Sequence, residues 1–114
     1  MGVISNGDDE DAWVLARWAF QGYLDHVLAE VGEDPPLAYV VNQAIALDGL
    51  HLQRKDVDTV QRLRPVLVQV ADEVISGVRR VHVEGRILDD KSQEQFRRAV
   101  TELRTLFARW WPSI

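Results

Sequence analysis

The sequence predicts an all-α fold, an up-down four-helix bundle. Apolar residues recur at three- and four-residue spacing through four stretches. Helix-start and helix-stop residues punctuate the joins between those stretches, and no two convincing strand patterns stand close enough to pair. The 114 residues suit one domain, read as residues 10–114, behind a mobile N-terminal tail over 1–9. A chain of this size buries about two-thirds of its unfolded surface, so it needs neither disulfide nor metal to fold.

The first helix is expected over residues 11–31, with Asp8, Asp9, Glu10 and Asp11 placing negative charge at its positive end. At about 100° per residue, Trp13, Phe20, Leu24, Val27 and Val31 form one stripe. Leu15, Trp18, Gly22 and Ala29 occupy the opposite side, where charges are the rule. A helix with two apolar faces is either central in its domain or offers a second surface to another chain. Gly32 is placed to stop it.

Asp34-Pro35-Pro36 starts the second helix, because the carboxylate caps free amides and proline fits a first turn. Its core residues are Leu37, Val40, Val41, Ala44 and Leu47, and it ends near Asp48-Gly49, with loop through 51–58. The short link from the first helix implies an antiparallel hairpin.

Asp58-Thr59-Val60-Gln61 has the form of a capping box. Helical spacing then runs from Val60 through Leu63, Leu67, Val70, Val74 and Val78 to Val81, so a third helix is expected as far as Gly85. Pro65 inside it predicts a kink or a split. The β-branched run at 81–83 lacks a partner strand, which favours helix there. Asp89-Asp90-Lys91-Ser92 opens the fourth helix, with Phe96, Val100, Leu103, Phe107 and Trp110 on its stripe and Pro112 at its end.

There is no cysteine, which removes disulfides, thiolate metal sites and cysteine nucleophiles. No phosphate-binding loop, dinucleotide fingerprint, zinc-protease helix or nucleophile elbow is present. Asp48 and His51 would lie one turn apart on a continued helix, a spacing fit for a metal or a base, but a bundle di-metal site needs two such pairs. No catalytic residue, metal ligand or cofactor is assigned, and the chain is not expected to be an enzyme. The alternative is a small-molecule or metal-binding bundle, enzymatic in one version, around Asp48 and His51, with Tyr39 nearby. His26 beside Asp25 reads as a solvated pair, and Arg79-Arg80 and Arg97-Arg98 as solvated faces rather than a nucleic-acid patch.

Charge and tryptophan point toward protein recognition. Net charge is −5, with three Lys/Arg against eleven Asp/Glu in residues 1–58 and ten against seven in 59–114. The acidic front half disfavours nucleic acid and suits a basic partner protein. Of four tryptophans, Trp13 and Trp110 belong to core stripes, whereas Trp18 and Trp111 are candidates for a surface. The expected interaction residues are Leu15, Trp18, Gly22, Asp25, Tyr39 and Trp111. The expected function is therefore a small acidic helical interaction module that binds, neutralises or self-associates, with a protein partner or a second copy on that face. Immunity proteins, antitoxins and anti-factors have this character, and no residue pattern selects one. Neither a signal-peptide pattern nor an apolar run of membrane-spanning length occurs, so the expected compartment is the cytoplasm and no membrane partner is expected.

Overall fold

The structure, a computed structural model, describes residues 1–7, 12–83 and 85–112. It is mostly helical, with four helices, and also contains a small three-stranded sheet, so the fold is not purely α. The chain runs β1 (Gly2–Ser5), β2 (Trp13–Leu15), α1 (Arg17–Val31), α2 (Pro35–Leu47) and β3 (Gly49–His51). A single 3₁₀ turn over Leu52–Arg54 leads into α3 (Val57–Ile75), a β4–β5 hairpin (His82–Val83 and Arg86–Ile87) and α4 (Asp90–Trp110).

The N-terminal residues are where expectation and structure differ most. Gly2–Ser5, expected to be mobile, is the central strand of the sheet, antiparallel to β2 and parallel to β3. Its β-branched Val3 and Ile4 suit a pleated, half-buried surface, and Ile4 is wholly buried with Leu50 beside it. Gly2 lies against the Phe20 ring so closely that a Cβ there would fall 1.9 Å from it. Trp13–Leu15, expected to be helix, pairs with β1 and alternates in strand fashion, Trp13 buried and Val14 52% exposed. The acidic run expected to favour a helix start lies outside the described residues.

Helix α1 then packs against α2, α3, α4, β1 and β4, which makes it the central element. Its buried Phe20, Tyr23, Leu24, Val27 and Val31 keep helical spacing. The buried Tyr23 hydroxyl donates to the Leu67 carbonyl at 2.7 Å and ties α1 to α3. Burial, helped by the Asp72 charge, pushes its phenol well above the ordinary range, so the hydroxyl keeps its proton.

Helix α2 starts and stops where the sequence indicates. The Asp34 carboxylate accepts from the Leu37 amide at 3.4 Å, and Asp48 takes the left-handed conformation (φ 54°) that ends the helix. Leu47, expected in the core, is instead 76% exposed at the last turn. Pro65 does not divide α3, which is continuous from Val57 to Ile75 with the proline exposed. That helix begins behind Asp56, two residues ahead of the expected cap.

Helix α3 stops ten residues short of Gly85. Ser76 donates to the Glu73 carbonyl, Gly77 adopts φ +85°, and the amides of Val78 and Arg79 turn back to Glu73. The partner for the β-branched run is Arg86–Ile87, only three residues on, reached through Gly85 at φ +78°. Helix α4 is capped by the Asp89 carboxylate on the Ser92 amide at 2.8 Å. Those hydrogen bonds hold the Asp89 carboxyl below its usual range. No described helix is long and apolar enough to cross a membrane.

Candidate interaction site

The structure places the six expected interaction residues in different surroundings. Gly22 is buried, and a Cβ there would lie 2.5 Å from Val81 Cγ2, so the close approach that glycine permits is made by this chain's own segment. Trp18 is half-buried, its ring 6.4 Å from that of Phe96, and Leu15 is half-buried at the end of β2. Trp111 is 7% exposed and stacks on Phe107 at 5.1 Å, with the Arg64 guanidinium 5.8 Å from its ring. Only Asp25 and Tyr39 are exposed, and they sit on different helices. Of the expected second apolar side, Gly22 is interior, Trp18 is half-buried and Ala29 is exposed, while Leu15 belongs to β2 rather than to α1.

Around the Val81 junction the buried side-chain polar groups are engaged. The buried Gln93 amide accepts from the Val81 amide and donates to the Val81 carbonyl, both at 2.9 Å, and reaches the Leu88 carbonyl at 3.3 Å. Arg79 bridges Glu30 and Glu73. Its guanidinium pKa is raised, the two carboxylates outweighing the opposing effect of burial, and hydrogen bonds from Gln69 and Arg79 hold Glu73 low. His26 is not a solvated partner of Asp25. Its Nε2 donates to the Arg80 carbonyl at 2.8 Å, and burial lowers its pKa so that the ring stays neutral. Burial also raises the Asp25 carboxyl, against the pull of His26.

The Asp48 and His51 side chains are each engaged elsewhere. With the helix ended at Leu47, Asp48 pairs with Arg17 at 3.3 Å, whereas His51 sits on β3 with its Nδ1 2.8 Å from Ser5 Oγ. Ser5 donates to Gln53 Oε1 at 3.1 Å, so the Nδ1–H donates to Ser5, and Nε2 lies over Gly49. Tyr39, away on α2, accepts from Gln43. Among the described residues no group of three or more His, Asp or Glu is placed to hold a metal ion.

β2 and β3 are both edge strands, and the far edge of β3 is an open feature beside a groove. The sheet order is β2-β1-β3, and among the described residues no strand lies beyond β3. The Val3 amide bonds the Asp48 carbonyl at 3.1 Å, and the Ile4–Leu50 register assigns Leu50 to β1. Ladder alternation turns the Gly49 amide and carbonyl and the His51 amide the other way, while the His51 carbonyl opens the 3₁₀ turn. Along that edge runs a groove of about 250 Å³, walled by Gln43, Ala44 and Leu47 of α2 and closed by Arg54 and Lys55. Among the described residues no carboxylate lines it.

No family model, curated protein or solved structure matches this chain. The groove must be interpreted from its own chemistry. Sequence reading missed Ser5, Leu47, Arg54 and Lys55 as members of one place. The usable signal was Arg54-Lys55, two of only three cations in the first 58 residues. A second groove, about 420 Å³ between β2 and α4, carries opposite charges on Glu102 and Arg109, and its strand is tied to α4 by the Trp13 indole donating to the Ala99 carbonyl.

Proposed function

We propose that this chain is a protein-interaction module, binding another polypeptide or a second copy of itself. The observation that supports this reading is the unpaired β3 edge beside Leu47, a large apolar side chain 76% exposed at the rim of a groove. Sheet edges with free amides and carbonyls are templates for another chain, and folded proteins ordinarily cover or blunt them. The small size, absent cysteines and lack of any catalytic motif agree with recognition rather than turnover. The recognition surface moves from the Trp18 side of α1 to the α2–β3 rim.

Light scattering on the purified chain, combined with a photo-crosslinking residue at position 47 in cells, tests the proposal. The expected result is one of two. Either the mass exceeds the 13.0 kDa of one chain and Leu47→Lys restores the monomer, or one polypeptide crosslinks from position 47 and not from the exposed position 102 on α4. A monomer that crosslinks to no defined polypeptide from position 47 overturns the reading.

A further inference from the structure

We propose that the β3 edge takes an extended acidic segment of a partner protein as a fourth strand. The inference rests on reading the chain as an interaction module and specifies what that module takes. Two features of the groove act together. Gly49 and His51 offer strand backbone groups on the open side, and His51 is held extended (φ −102°, ψ 92°) by its bond to Ser5. Main-chain pairing of this kind supplies affinity without sequence, and the flanking side chains supply selection.

The flanking side chains select for negative charge. Several other cations are matched: Arg17 with Asp48, Arg62 with Asp34, Arg79 with Glu30 and Glu73, Arg97 and Arg98 with Glu94, and Arg104 with Asp72. Arg80, Arg86 and Lys91 have no carboxylate partner among the described residues but line no strand edge with a groove. Arg54 and Lys55 have no carboxylate within ion-pairing distance among the described residues. The nearby Asp48 is already taken by Arg17. The chain's net −5 acts weakly at this site, because screening confines exposed charges to about 8 Å at physiological salt. A second copy is a poorer occupant, since a two-fold contact through this groove would set Arg54 and Lys55 against their own images with no carboxylate between them. Leu47 adds an apolar contact, so the fitting ligand alternates acidic and apolar residues.

The test uses the full chain and a labelled eight-residue peptide of alternating glutamate and valine, with a lysine–valine peptide as control. Fluorescence anisotropy should show binding of the acidic peptide alone, weakened about tenfold or more by Arg54→Glu with Lys55→Glu. Residue-resolved amide exchange should slow at Gly49 and His51 on binding, while the Leu50 amide, already bonded within the sheet, is unchanged. Failure of the acidic peptide to bind, equal binding of both peptides, or binding without slowed exchange at those two amides overturns the proposal. If these outcomes occur while the position-47 crosslink or dimer persists, the interaction reading stands and only the occupant is wrong. If the crosslink and dimer also fail, both readings fall.

Discussion

The junction between α1, Val81 and Gln93 and the rim between α2 and β3 are opposite solutions to the same problem. Both bring a short extended segment against a helix. At the junction, Val81 fills the space that Gly22 leaves, and one glutamine side chain satisfies the Val81 amide and carbonyl together. At the rim, a strand edge, an exposed leucine and two cations are left without partners from the rest of the described chain. Apolar residues near a helix thus say little about recognition by themselves. What separates a sealed contact from an open one is whether backbone groups and charges are also satisfied, and no buried side-chain polar atom among the described residues lacks a partner.

The strongest way to break the contrast is at Gln93. Gln93→Leu leaves the Val81 amide and two carbonyls without their partners in a buried place, each costing about 1–3 kcal/mol. Allowing for some relaxation, urea unfolding should show a loss of about 3–5 kcal/mol, a large part of a small domain's stability. A loss under about 1 kcal/mol would mean that water replaces the glutamine and that the junction is not sealed.

A smaller effect, with a change of sign, is expected at Gly22. Alanine normally gains about 1 kcal/mol over glycine inside a helix. Here its Cβ would meet Val81 Cγ2 at 2.5 Å, and such overpacking costs about 1–3 kcal/mol. Gly22→Ala should therefore destabilise the native chain, yet stabilise the Val81→Ala background, where Cγ2 is gone. A double-mutant cycle with no coupling would separate the two residues.

Legibility in the sequence followed the range of the interactions. Caps and stops act within four residues, so Asp34, Asp89 and the turn at Asp48 could be read directly. Strands of two to four residues could not, because β1 is defined by β3, whose residues lie 46 positions further on. The indices that placed Trp13 and Leu15 on helical stripes were equally met by strand alternation over three residues, too short a span to tell the two periods apart. The two apolar faces of α1 were visible, and their cause was not. Val81 reaches Gly22 across 59 positions, through a hairpin whose second strand is only two residues long. The rim is hidden for the same reason: Ser5, Leu47 and Arg54 meet only once the sheet has formed.

The smallest expected effect falls on the open side. Leu47→Lys replaces one good helix former with another, at a position 76% exposed. The site is the last residue of α2, where positive charge is favourable to the helix dipole. Little apolar area leaves the interior, and no hydrogen bond or ion pair of that side chain is lost. Thermal unfolding should therefore shift by no more than about 0.5 kcal/mol, roughly 2–4 °C for a chain of this size. Self-association measured by light scattering should be lost by the same variant, which sets a third cation beside Arg54 and Lys55 against its own image. That pairing, stability kept and association gone, is the reverse of what Gln93→Leu should do. A loss of about 2 kcal/mol or more at Leu47 would place the residue among the packing contacts of the fold and remove the rim from consideration as a free surface.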